Sequence, residues 1–139
     1  MNDYSYGIIP IFKTRYENLF LLLHSTHGHW TFPKGHREGT ETDEDAARRE
    51  LFEESGIQEI TIPDKKTFYE KYSFDTGNGE IVHKTNTLFI GYVSDTDVTI
   101  QKEEVTEFRW VTADEAMELV WPECRKIIEE VTLYLKNNA

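Results

Sequence analysis

Residues 35–57 read GHREGTETDEDAARRELFEESGI, and the order of residue types within them specifies a loop followed by a helix. Thr42, with Asp45 three positions later, reads as a capping box that opens the helix, and Asp43 and Glu44 suit the positive end of its dipole. The helix is expected to run through Ala46, Ala47, Leu51 and Phe52 and to stop at Gly56, a residue free to take the left-handed conformation of a C′ position. Ala47 and Leu51, four apart, share an apolar stripe that should lie against a sheet.

The polar side of the same helix is chemically unusual. Glu50 and Glu54 are four apart and Glu53 is three from Glu50, so three carboxylates crowd one face. In water such neighbours repel one another, at about a few tenths of a kcal/mol per pair. A divalent cation removes the conflict, and hard oxygen ligands of this kind suit magnesium or manganese, which also bridge phosphate oxygens. Arg49 is within reach of Asp45 or Glu53 at i±4 and can hold a carboxylate in place. A solvated acidic face would account for the glutamates alone, but not for Gly35, Glu41, Arg49 and Gly56 at their offsets around them.

Outward from this unit, the whole chain of 139 residues is long enough for one domain with its own core, and residues 1–139 are read as that domain. A hydrophobic content of 38% with 13% aromatic residues belongs to a globular chain. The net charge of −11 argues against a general nucleic-acid or acidic-membrane surface. It leaves a phosphate substrate open, because a bound metal and a few lysines reverse the potential inside a cleft. The single cysteine, Cys124, excludes an internal disulfide and reads as a packed thiol in a C-terminal helix. With no basic-then-apolar N-terminus and no apolar run near twenty residues, a soluble, cytoplasmic monomer is expected.

Tyr4–Phe12 and Asn18–His24 read as strands joined by a polar turn at residues 14–17, followed by a loop at residues 26–29. Beyond the helix, Glu59–Ile62 reads as a short strand, Thr67–Phe74 and Ile81–Val93 as a hairpin around residues 75–79, and Val98–Gln101 as a short edge piece. Glu107–Val111 reads as a strand, Thr112 opens a helix through Val120, and Pro122 starts a last helix with Ile127, Ile128, Val131 and Leu135 on one stripe. Strands with one helix inserted early and two at the end give an α/β sandwich, not the alternation of a doubly wound parallel sheet.

The template G-x5-E-x7-R-E-U-x-E-E-x-G-U, with U a bulky aliphatic residue, is filled without substitution by Gly35, Glu41, Arg49, Glu50, Leu51, Glu53, Glu54, Gly56 and Ile57. It resembles the signature of the Nudix hydrolases, which implies an α/β/α sandwich with a mixed sheet and metal-assisted hydrolysis of a diphosphate linkage. A narrower resemblance covers nearly the whole chain. Phe20–Leu23, the run HWTFPKGH at residues 29–36, Tyr72-Ser73-Phe74, and Glu104 six residues before Trp110 are similar to the asymmetric bis(5′-nucleosyl)-tetraphosphatases of the animal, archaeal and chlamydial type. That group splits diadenosine tetraphosphate, a small dinucleoside polyphosphate, into ATP and AMP with water and a divalent metal.

The resemblance implies roles residue by residue. Glu50 and Glu54 would be metal ligands, helped by Glu53 and the Gly35 carbonyl. Glu104, outside the box, would be a further ligand or the general base, a part that Glu53 and Glu54 could also fill. Glu41, Arg49 and Gly56 would be structural. His29, Lys34 and Lys84 resemble phosphate contacts, and Tyr72 resembles an aromatic that stacks on adenine. Trp121 stands where the family more often has tyrosine as a second stacking residue. Each of these has an ordinary alternative: a loop histidine or acid, an exposed strand lysine, or a core tyrosine. The magnesium-dependent reaction is also compatible with other substrates, including the 5′ end of a triphosphorylated RNA or an inositol pyrophosphate. The acidic balance disfavours both of these. A binding module without turnover would be expected to carry a broken box.

Overall fold

The structure, a computed structural model, describes residues 1–138. Strand β1 (Asn2–Lys13) turns into β2 (Asn18–Ser25) through a loop closed by Thr14, whose hydroxyl donates to the Glu17 carbonyl at 2.8 Å and accepts from the Glu17 N–H at 3.0 Å. Their pairing is brief, Ile11–Lys13 against Phe20–Asn18, and the strands then diverge. Two-residue strands fill the gap. β3 (Trp30–Thr31) pairs with β2, and β4 (Lys34–Gly35) pairs with β1 opposite Gly7 and Tyr6. The Ile8 N–H donates to the Pro33 carbonyl at 3.1 Å, so the segment before the helix is sewn into the sheet.

Helix α1 (Asp43–Ser55) follows, then the hairpin β5 (Thr67–Asp75) and β6 (Ile81–Val93). β6 lies parallel to β1 from Asn2 opposite His83 to Phe12 opposite Val93, whereas its pairing with β5 is antiparallel. β7 (Val105–Val111) pairs antiparallel with β2, and α2 (Ala113–Leu119) and α3 (Pro122–Asn137) close the chain. The seven strands make one mixed sheet.

The sheet is covered on both faces, which explains the continuous apolar runs in β1 and β2. Successive side chains point to opposite faces. Ile9, Ile11, Phe20, Leu22, Leu88 and Ile90 pack with Cys124, Ile127, Ile128 and Val131 of α3. Ile8, Leu21, Leu23 and Phe89 pack with Ala47 and Leu51 of α1. Leu51 is fully buried, and truncating such a side chain to alanine costs about 2–5 kcal/mol. The α/β/α sandwich is therefore the architecture, and no helix among the described residues is long and apolar enough to cross a membrane.

Three local expectations differ from the structure. Glu59–Ile62 contributes only one bridge, Thr61 with Tyr92, in place of a strand. Residues 98–101 form no edge strand. Their N–H groups serve α1 instead, Thr99 donating to Ser55 O at 2.9 Å and Gln101 to Glu54 O at 3.2 Å, because the last carbonyls of a helix need donors from elsewhere. At the front of α1, Thr42 accepts from the Asp45 N–H at 3.1 Å, while the reciprocal half of a capping box is found in α2, between Thr112 and Glu115.

Candidate active site

The acidic helix and the loop before it are held together by Arg49. Its guanidinium donates twice to Glu41, Nε to Oε2 at 2.7 Å and Nη2 to Oε1 at 3.1 Å, and Nη2 also donates to the His36 carbonyl at 2.8 Å. Nη1 reaches Glu50 and both oxygens of Glu53, each at 3.1 Å. Of the two partners open to Arg49 at i±4, Glu53 is the one taken. Glu41 Oε1 also accepts from the Glu38 N–H at 2.8 Å. Glu41 is held below the usual carboxylate range by Arg49, and the guanidinium is in turn held firmly charged by Glu41. Arg49 and Glu41 thus tie the loop to the helix.

Gly35 is required by contact. A Cβ at that position would overlap the Glu50 carboxylate, which could keep its present position only beside a glycine. Gly56 ends the helix at φ 74°, with its N–H donating to Phe52 O at 2.8 Å.

Glu50 and Glu54 lie side by side on the inward side of α1. Burial raises the pKa of Glu54 to about 8, the neighbouring charge of Glu50 adds to the rise, and Lys34 opposes it. Burial also raises Glu50, against the pull of Arg49. Glu54 faces a cavity of about 340 Å³ that is also lined by Thr31, Lys34, Glu103 and Glu104. Glu104 precedes β7, and its carbonyl accepts from the Thr26 N–H at 3.0 Å, which ties the two loops at the cavity mouth. The structure therefore gathers Glu54, Lys34 and Glu104 around one space, with Glu50 beside Glu54 and Glu53 turned toward Arg49.

Among the described residues, no three acidic, histidine or cysteine side chains already enclose a cation position. Arg49 occupies Glu53 and shares Glu50, which accounts for this. The donor set nevertheless fits magnesium, which commonly takes one or two carboxylates and completes its shell with water and phosphate oxygens. Glu54, whose ionisation is opposed by burial and by the Glu50 charge, is relieved by such a charge.

A further group is aromatic. Tyr72 on β5 meets Trp121 edge to face with ring centroids 4.5 Å apart, and the His29 ring lies 5.4 Å from Trp121. Three of the expected substrate contacts are thus neighbours. Lys84 differs from the strand lysine exposed to solvent. It is buried, and its ammonium donates to Asp3 at 2.8 Å and Ser5 at 2.6 Å, with Asp3 also paired to His36 at 2.8 Å. The parallel register of β1 and β6 puts Asp3 directly beside Lys84, and that long-range pairing is not written in either strand alone. Glu70 and Asn86 were not foreseen. Both are buried in this group, Glu70 accepting from Trp121 Nε1 and from Asn86 Nδ2, each at 2.8 Å. The available signal was the two-residue period of β5, which sets Glu70 on the same face as Tyr72.

Comparison with known proteins agrees with this arrangement. Residues 1–131 match the NUDIX domain family. The asymmetrical bis(5′-nucleosyl)-tetraphosphatase of Sus scrofa is 32% identical over 124 residues, covering 86% of this chain and 82% of the relative. The enzyme of the same name from Rattus norvegicus is 35% identical over 103 residues, covering 72% and 68%. A C. elegans Ap4A hydrolase, crystallised as a binary complex, superimposes with a TM-score of 0.79 over 96% of this chain and 98% of its own, at 22% identity, a likeness of fold. With the box intact, the domain matched and the sandwich shared, this chain belongs to the Nudix hydrolases.

Proposed function

We propose that the chain hydrolyses dinucleoside polyphosphates in a magnesium-dependent reaction, with manganese a possible substitute, and that it splits diadenosine tetraphosphate into ATP and AMP. The observation that carries this reading is the presence in one fold of a lysine-flanked carboxylate cavity and a separate aromatic group. A substrate with a long anionic chain between two planar bases presents those two chemistries. The names of the mammalian relatives point the same way.

In this reading Glu50 and Glu54 hold the divalent ion, with Gly35 leaving room for the Glu50 carboxylate. When bound there, a divalent ion would supply positive charge to the phosphate oxygens and would lower the pKa of a water. Glu104, across the cavity from Glu54, takes the proton from the attacking water. The water oxygen forms the new P–O bond in line, the bridging P–O bond breaks, and the departing nucleotide leaves with the electron pair. Lys34 holds phosphate oxygens as a compact charge, and Tyr72 and Trp121 hold one base. His29 lies close enough to Trp121 to border the same base. Lys84, the remaining lysine expected at phosphate, is instead paired with Asp3.

Hydrolysis of diadenosine tetraphosphate in oxygen-18 water with magnesium tests the reading. ATP and AMP as products, with label in only one of them, is the expected result and identifies the attacked phosphorus. Two molecules of ADP would contradict asymmetric cleavage. Absence of turnover alongside cleavage of a triphosphorylated RNA would move the substrate to RNA.

A further inference from the structure

We infer that Glu70 and Asn86 are positioning residues that set the geometry of the Tyr72–Trp121 pair and make base recognition depend on the indole N–H of Trp121. This rests on the reading that the aromatic pair holds a base. Glu70 is only 4% exposed, and a carboxylate at that depth is costly unless both oxygens are satisfied. It has no ion-pair partner among the described residues; its two donors are neutral, and they come from two different elements. Asn86 on β6 gives Nδ2 to Oε1, and Trp121, the residue before α3, gives Nε1 to Oε2. Hydrogen bonds to a buried carboxylate are stronger than neutral ones, so the two elements are joined firmly at this point.

Local structure offers Trp121 little other guidance. It occupies the N-cap position of α3 without a side-chain capping bond, and the next residue is Pro122. Its indole is oriented by Glu70, 51 positions earlier in the chain. Tyr72 lies two residues beyond Glu70 on the same face, with its phenol beside the Asn86 amide. The two rings therefore meet edge to face, while Glu70 joins the indole N–H to the Asn86 amide beside the Tyr72 phenol.

The Asn86 amide is fixed in one orientation, because turning it over would set Oδ1 against the Glu70 carboxylate, acceptor against acceptor. In that orientation Oδ1 is the buried side-chain polar atom without a partner among the described residues. An unmet buried acceptor favours a donor, supplied either by the Tyr72 hydroxyl or by an amino group on the bound base. Rings that sandwich a base need about 7 Å between them, two contacts of about 3.5 Å. At 4.5 Å the pair is closed. A base held between them requires one ring to move aside.

The test uses Glu70→Gln, Trp121→Phe and the double variant. Glutamine matches the shape of glutamate but cannot accept from both donors. The indole N–H resonance of Trp121, identified by its loss in W121F, is followed by NMR in wild type and E70Q. Kinetics on diadenosine tetraphosphate are measured in all four proteins. In E70Q the resonance is expected to shift and to exchange faster with solvent. KM should rise about fivefold with kcat within about twofold, the scale of one hydrogen bond. In the W121F background E70Q should add no further change in KM. An unmoved indole resonance, or the same rise in KM with and without Trp121, overturns the inference. If diadenosine tetraphosphate is not a substrate, the proposed function falls, while the resonance still decides the positioning role. Should E70Q not fold, Glu70→Asp, which keeps the charge and shortens the reach, takes its place with the same two readings.

Discussion

The two halves of the site are built in opposite ways. The acidic half is local: Gly35, Glu41, Arg49, Glu50 and Glu54 lie within twenty residues, and a single guanidinium joins the loop to the helix. The aromatic half is assembled from a distance, with His29 on a loop, Glu70 and Tyr72 on β5, Asn86 on β6 and Trp121 before α3. Covalent spacing on one helix sets the first, and the packing of α3 against the edge hairpin sets the second. Damage to the first should therefore remove chemistry, and damage to the second should loosen binding.

Glu54→Gln should break the acidic half most completely. With saturating magnesium, kcat is expected to fall at least about a hundredfold while circular dichroism is unchanged. Near-normal turnover would remove Glu54 from the chemistry. Gly35→Ala should act through the same pair, since its Cβ displaces Glu50. The magnesium concentration for half-maximal activity is expected to rise about 10–100-fold, the scale of disturbed ligand orientation. An unchanged magnesium titration would mean that Glu50 is not a ligand.

Tyr72→Ala should mark the contrast. Loss of a stacking contact of about 1–3 kcal/mol raises KM about 5–100-fold and leaves kcat nearly intact. A fall in kcat of equal size would show that the aromatic half serves the transition state as well. The smallest effect concerns stability. Burial raises Glu54 from its ordinary 4.5 to about 8, so between those values the folded protein keeps a proton that the unfolded chain releases. Stability of the metal-free protein from this group is full below the lower value and declines as pH rises through the window. At pH 8 the metal-free Glu54→Gln protein should melt several degrees above wild type, and at pH 5 the difference should shrink. An equal difference at both pH values would deny the raised pKa.

The same contrast decides what could be read from the chain. The acidic half was legible because a helix converts spacing into direction: Glu50 and Glu54 share a face wherever the helix lies. The strands of the hairpins were legible from alternation and turn residues. Hidden from view were matters of tertiary register. Nothing in VHKTN announces that Lys84 is buried beside Asp3, because their adjacency follows from β1 lying parallel to β6. Nothing in FYEKY announces that Glu70 reaches an indole from α3. β3 and β4 escaped notice because two residues carry no period, and their pairing exists only where β1 and β2 separate.

The parallel pairing of β1 with β6 also governs how the molecule comes to exist. Strand β1 has as its main neighbour a segment at residues 81–93, with Asn2 opposite His83. Until that segment emerges, IIPIF and FLLL have only a three-pair hairpin contact between them, and the glutamate-bearing helix has no finished sheet to dock on. Closing such a long loop before any contact rewards it slows folding, toward the millisecond-to-second range of non-local topologies. Until residues 81–93 are made, the apolar run of β1 thus lacks its main cover. Yield at high expression should depend on temperature and chaperone supply more than the stability of the finished sandwich would suggest.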